Sequence, residues 1–150
     1  VEDIPVLLIN HLKSQATLTN LLGRDVFRVF PGDVPAKLRG EDIKPPWVTI
    51  ELADGENNAA FDGPTTSWQV NLNIVVVAST QAIARQIWNA IHTVVHAKGA
   101  VTWATYLWVD SAQATAGRQV PLMEPDGSPS AWQQVVGELF LLCEVLPASV

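Results

Sequence analysis

The chain has 150 residues, 48% of them hydrophobic and 16% charged, with a formal net charge of −6 and a pI of about 4.8. Its nine Lys and Arg are spread without a run, which argues against the clustered cations that grip phosphates in nucleic-acid binding. The length suffices for an apolar core without disulfide or metal, and 1–150 is read as one domain.

The lone cysteine, Cys143, excludes an internal disulfide and a multi-thiolate metal site. It lies in the run Phe140-Leu141-Leu142-Cys143 and reads as a small buried hydrophobe. No apolar stretch reaches the ~18 residues of a membrane span, and the acidic N-terminus does not resemble a signal peptide. The expectation is a protein made in a reducing cytoplasm, with no membrane contact.

Asp3-Ile4-Pro5 suggests an N-cap with Pro in the first helical turn. Ile4, Leu7, Leu8 and Leu12 then share one helical face, so a helix is expected to about Ser14. Thr17 to Leu22 predicts a second, short helix closed by Gly23. Asp25 to Phe30 reads as a short strand stopped by Pro31-Gly32, and 33–46 as loop. Trp47 to Leu52 is β-rich, whereas Asp54 to Thr66 carries turn residues almost throughout and predicts a long connection.

From Trp68 to Val77, Trp68, Val70, Leu72, Ile74 and Val76 alternate with Gln69, Asn71 and Asn73, the pattern of a half-buried antiparallel strand. Ser79 or Thr80 caps the strongest helix, which ends before Gly99. Its expected apolar stripe is Ile83, Ile87, Ile91, Val94 and Val95, with Ala82, Ala90 and Ala97 allowing close approach to a sheet. Residues 103–114 and 132–146 complete the strands, separated by a Pro- and Gly-rich loop at 117–131. The expected fold is α+β: a mainly antiparallel sheet of four to five strands, with the long helix and the N-terminal helix packed on one face.

No catalytic constellation emerges. His92 and His96 stand four apart on the long helix, but the pattern lacks the Glu of a zincin motif and a clear third ligand. His11 has no carboxylate partner that the sequence suggests. There is no Gly-x-Ser-x-Gly elbow, no glycine-rich phosphate cradle, and Cys143 is expected to be buried. Asp54, Glu56 and Asp62 fall in a connection where a solvated loop is the plain reading and a weak cation site the alternative. No enzyme, cofactor or metal is expected.

The distinctive excess is aromatic. Six tryptophans, Trp47, Trp68, Trp88, Trp103, Trp108 and Trp132, are many for this length, and those at strand starts and on the helix are expected in the core. In 103–109, Trp103, Thr105, Leu107 and Val109 oppose Ala104, Tyr106 and Trp108, so both faces are apolar. Such a strand is either sandwiched within the domain or covered by another chain. Tyr106 and Trp108 are therefore interface candidates, with core packing as the alternative. Phe61 in the first long loop, and Leu122 with Met123 in the second, have no obvious place in a core. With Asp62 and Arg118 they complete the candidate partner-interface set.

The layout resembles the tail-completion (tail-terminator) proteins of long-tailed bacteriophages. The resemblance runs through Leu18-Thr19-Asn20-Leu21-Leu22-Gly23-Arg24, Phe30-Pro31-Gly32-Asp33-Val34-Pro35 and Pro45-Pro46-Trp47-Val48-Thr49-Ile50. It continues in Phe61-Asp62-Gly63-Pro64, the helix at 80–98 and Val109-Asp110-Ser111. These are turn and strand punctuation, and their order and spacing carry the likeness.

The resemblance implies a structural virion protein forming a ring, usually a hexamer, at the head-proximal end of the tail tube. Such a ring stops tube polymerisation and joins the tube to the head or neck. Its implied partners are copies of itself, the tail tube protein and head–neck connector proteins, and DNA passes through the lumen without specific binding. The implied location is the virion, after assembly in the bacterial cytoplasm. Another neck component, such as an adaptor or stopper, and a monomeric or dimeric regulatory binding module are the alternative readings.

Overall fold

The computed structural model describes residues 4–24, 26–35, 37–38, 41–60, 63–103 and 107–145, with side chains for all of these except 37–38, 41–42, 54–60 and 63–67. Two helices open the chain, α1 (Ile4–Lys13) and α2 (Ala16–Leu22). The expected cap Asp3 lies outside the described residues. Ile4, Leu8 and Leu12 are buried at helical spacing, and the Gly23 N–H closes α2 on the Thr19 carbonyl at 2.9 Å.

Strands β1 (Val29–Pro31), β4 (Trp47–Ala60), β5 (Gly63–Ala78), β6 (Val101–Trp103), β7 (Leu107–Ala114), β8 (Arg118–Gln119) and β9 (Gln133–Val145) build the main sheet. The short β2 (Lys37–Leu38) and β3 (Glu41–Asp42) pair only with each other, within a stretch expected to be loop. The main order is β1-β4-β5-β9-β7-β6, with β8 beside β9. All its pairings are antiparallel except β1–β4. The last strand thus inserts centrally, between β5 and β7, and ties both halves of the chain into one ladder.

Along β9 burial alternates: Val135, Gly137, Leu139, Leu141 and Cys143 are buried, while Val136, Glu138, Leu142 and Glu144 are half-buried and Phe140 is exposed. β5 alternates likewise between Val70, Leu72, Ile74 and Val76 inside and Gln69, Asn71, Asn73 and Val75 outside. The inward residues merge with those of α1, α2 and α3 (Gln81–Val95) into one core. At ~25 cal/mol per Å² of apolar surface removed from water, this burial drives the fold.

Four expectations on the elements need correction. The stretch 54–66 is not a loop: β4 and β5 run through most of it as an extended hairpin, in register from Trp47↔Val77 to Ala60↔Gly63. The poor strand formers Asp54, Gly55, Glu56 and Asn57 are paired in the ladder, between two irregularities at Leu52/Asp54 and Asn57/Ala59. Once β5 is anchored by β9, cross-strand pairing outweighs local turn propensity.

The single strand expected at 103–114 is instead a hairpin, with β6 folding back on β7 so that Trp103 pairs with Leu107. Together with β8, this raises the sheet to seven strands where four to five were expected. The α3 stripe is rotated. Ala84, Ile87, Trp88, Ile91 and Val95 are buried, whereas Ile83 is 36% exposed and Ala82 and Ala97 lie at the surface. Finally, Trp132 is 38% exposed and is not a core residue; Trp88 and Trp103 are the fully buried tryptophans.

Trp88 decides that rotation. Its indole lies against Gly137 of β9 and Gly117, positions at which a Cβ would fall within the ring's own contact radius. Its Nε1–H donates to the Ala116 carbonyl at 2.9 Å. Arg85, one turn earlier, donates to the Gly117 carbonyl at 3.2 Å. One of the two fully buried tryptophans is thereby seated on two residues that have no side chain, and α3 turns to deliver it.

Candidate assembly surfaces

His92, His96, His11 and Cys143 all take part in packing contacts or burial. His92 and His96 stack at 4.4 Å between ring centroids, and His96 Nδ1 accepts the Ala114 backbone N–H at 3.0 Å. One of the two imidazoles therefore already uses a ring nitrogen to hold the C-terminal end of α3 to β7. No group of three His, Cys, Asp or Glu that could hold a metal occurs among the described residues.

Cys143 is buried, and its thiol is pushed up to about 11, first by burial and then by the negative charge of Asp110. A protonated, enclosed thiol is a poor nucleophile. Its reaction with a disulfide reagent at pH 8 is expected to be at least ~100-fold slower in the native chain than in urea, read by absorbance of the released thiol.

His11 stacks on Trp103, with ring centroids 5.0 Å apart and planes 9° from parallel. Burial lowers its pKa below the ordinary 6.5, so the folded chain favours neutral imidazole. Its stabilising contribution is complete above pH 6.5. As the pH drops below that value, the unfolded chain takes up the proton first and the contribution is lost. The urea midpoint should therefore fall between pH 7.5 and 5, and His11→Gln should flatten that part of the profile.

Three surfaces stand out among the described residues. The first is the overhanging part of the β4–β5 hairpin. β9 pairs with β5 from Ser67 to Ala78, and β1 pairs with β4 only from Val48 to Ile50. Beyond Ser67 the hairpin is two strands wide among the described residues, with a free backbone edge. A two-stranded ribbon is marginal in water by itself. Phe61 and Asp62, the candidates expected here, fall at the turn of this hairpin in sequence and lie outside the described residues.

The second surface is at the other end of the same strands. Trp47 meets Trp132 edge-on at 5.2 Å. Beside Trp132, a cleft of about 350 Å³ is lined by Pro121, Leu122 and Pro129. The 117–131 segment is ordered by its own hydrogen bonds: Ser130 N–H to the Leu122 carbonyl, and Glu124 N–H to the Ser128 carbonyl, each 2.8 Å. Of the candidates placed here, Leu122 is half-buried beside the cleft and Met123 is 51% exposed, bridging to Pro129.

The third surface is the outward face of the sheet. Trp108 lies on it, half-buried, its Nε1–H donating to Asp110 Oδ1 at 2.9 Å. Arg118 is exposed on β8, opposite Val136. Tyr106 lies outside the described residues. Phe140, 45% exposed at the centre of this face, was not singled out as a partner residue. Its signal was available: it stands in phase with Glu138 and Glu144, not with Leu139 and Leu141. The candidates thus do not converge on one site. Leu122 and Met123 share one end of the sheet, and Trp108 and Arg118 share its outward face.

No curated protein sequence matches the chain. In fold, it is similar to a chain of a structure described as "Virion of native gene transfer agent (GTA) particle". That likeness has a TM-score of 0.65 and 13% identity, and covers 94% of each chain. The family model described as "Tail completion protein gp17" matches residues 6–125 of the 150. The chain therefore belongs to the tail completion protein gp17 family, whose members are phage structural proteins of the tail and neck.

Proposed function

We propose that this chain is a ring-forming subunit, hexameric in the assembled virion, that caps the head-proximal end of a phage tail tube. The ring ends tube polymerisation and presents a surface to the head–neck connector. The observation that best supports this reading, given the family, is the overhang of the β4–β5 hairpin past Ser67. A ribbon too narrow to be stable alone gains its missing neighbour when a second chain covers its edge.

A heterologous contact of this kind closes into a ring when its rotation permits. The Trp47–Trp132 end of the sheet, with Leu122 and Met123, then serves a different partner from the hairpin end. Phe61 and Asp62 are proposed for the contact at the hairpin turn, and Tyr106, Trp108 and Arg118 for the sheet face and its margin. DNA passes the lumen without specific binding, in keeping with the net charge of −6, since an acidic wall repels phosphate. No catalytic step is assigned, and the site of action is the virion.

Light scattering and electron microscopy test the proposal, on the chain alone over a range of concentrations and then with preformed tail tubes. Rings in solution, or rings found only at one tube end with tube growth arrested there, are the expected result. A chain that stays monomeric and leaves tube growth unchanged overturns it. Rings that bind connector and ignore tubes transfer the protein to the adaptor or stopper role.

A further inference from the structure

Past its pairing with β6, the edge of β7 is closed by the end of α3 and the residues that follow it. β6 covers β7 from Leu107 to Val109. Beyond that point the Ala112 N–H donates to the Lys98 carbonyl at 2.8 Å, and the Ala114 N–H donates to His96 Nδ1 at 3.0 Å. The approach is close: a Cβ at Gly99 would stand 2.6 Å from the Asp110 carbonyl oxygen. On either side of Lys98 and Gly99, Ala97 (φ 55°) and Ala100 (φ 51°) hold left-handed backbone, which disfavours residues with a side chain.

The backbone just after β7 is held from the same helix, with Trp88 donating to the Ala116 carbonyl and Arg85 to the Gly117 carbonyl. Of these three α3 side chains, only His96 accepts a hydrogen bond. It is also the only one of a type that changes charge between about pH 5 and 8. Accepting at Nδ1 puts the neutral ring's proton on Nε2. A ring protonated on both nitrogens has donors only, so its Nδ1–H would be aimed at the Ala114 N–H.

The groups around the ring do not balance such a charge. His92 stacks on it at 4.4 Å between centroids, Lys98 follows two residues later, and Arg85 stands three turns back. The inward residues of β7, Val109, Ala112 and Ala114, are apolar, and Asp110 is exposed and accepts from Trp108. The other elements packed on α3 are α2, β5 and β9. α2 has no titratable residue, the core residues of β5 are aliphatic, and those of β9 add only the Cys143 thiol.

We propose that His96 is a pH-sensitive latch: neutral, it fastens α3 to the edge of β7, and on taking a proton it releases that edge. The released imidazolium is drawn to the carbonyl groups that end α3, which favour a cation. Release also lets Ala97 and Ala100 leave the left-handed region. It uncovers backbone donors with which another chain can pair, and it loosens the 115–117 segment that leads to Leu122 and Met123. The opening is local and does not depend on ring closure.

The test is NMR of the full isotope-labelled chain between pH 8 and 5. At pH 8 the His96 ring nitrogens should show the Nε2–H tautomer. Hydrogen exchange at Ala112 and Ala114, corrected for its intrinsic pH dependence, should accelerate about ten-fold by pH 5 relative to Leu72 and Leu139 in the central ladder. Referring the rates to the ladder removes the global contribution of His11. His96→Gln, whose amide oxygen accepts at every pH, should stay closed, and His96→Lys, which only donates, should be open at pH 8 as well.

An Nδ1–H tautomer at pH 8 overturns the proposal, as does acceleration no greater at Ala112 and Ala114 than in the ladder. So does an acid response in His96→Gln as large as in the unaltered chain. The first two outcomes are read without any substitution, so a variant that fails to fold does not remove the test.

Discussion

Replacing Trp88 by alanine should cost about 3–5 kcal/mol of stability, the largest effect expected of a single truncation in this chain. Trp88 has no solvent exposure and is among the largest buried side chains. Removing it empties the space between α3, β9 and the 115–117 segment, and leaves the Ala116 carbonyl without its 2.9 Å donor. In a chain of this size that loss corresponds to a fall in melting temperature of roughly 10 °C.

Gly137→Ala approaches the same site from the other side. The added methyl meets the Trp88 six-membered ring, and since the neighbour is a fully buried indole it cannot simply swing away. Overpacking of this kind costs ~1–3 kcal/mol or more, and should shift tryptophan emission to longer wavelength as the indole is displaced. Urea unfolding read by fluorescence and by far-ultraviolet circular dichroism measures both variants. If Gly137→Ala is neutral while Trp88→Ala is costly, β9 yields locally and the seat is softer than the geometry implies.

The second large effect concerns assembly and leaves the fold in place. Replacing residues 58–67 by Asn-Gly joins the paired residues Asn57 and Trp68 through a two-residue hairpin turn. Every core residue of β4 and β5 is kept, from Val48 and Ile50 to Val70, Leu72, Ile74 and Val76. Stability should change by no more than about 1 kcal/mol, since the deleted part contributes backbone pairing at a free edge and loop shortening offsets some of its loss.

Ring formation and capping of tail tubes should nevertheless be abolished, as judged by light scattering and electron microscopy. A truncated chain that assembles normally would show that the overhang is not the contact. In that event the Trp47–Trp132 end becomes the first place to look. A truncated chain that fails to fold would show instead that the ribbon supports the edge of the sheet.

The amino-acid pattern carried much of this architecture. Period-two alternation in 68–77 marked β5 because one face of that strand meets a core and the other meets water, a contrast written residue by residue. Helical spacing marked α1, and Ser79 or Thr80 marked the start of α3, where the cap is Thr80, whose Oγ1 accepts the Ile83 N–H at 3.2 Å. The resemblance to tail-completion proteins followed from punctuation, and the family match over 6–125 agrees with it.

What local pattern misread was decided by partners distant in sequence. The stretch 54–66 looked like loop because Asp, Gly and Asn disfavour strands, yet the distant β9 fixes β5 and β5 carries β4 with it. The α3 stripe was read from Ile83, yet the buried face centres on Trp88 because two glycines, Gly117 and Gly137, are brought beneath that helix only by folding. Likewise, Phe140 looked like one more apolar residue in a hydrophobic run until the ladder placed Asn71 and Gln113 on either side of it.

Composition and periodicity determined by themselves that this acidic chain builds an α+β core. Only the tertiary structure decided which surfaces are left for partners. Exposure is a property of neighbours in space, and in this sheet strands far apart in sequence, such as β5 and β9, lie side by side.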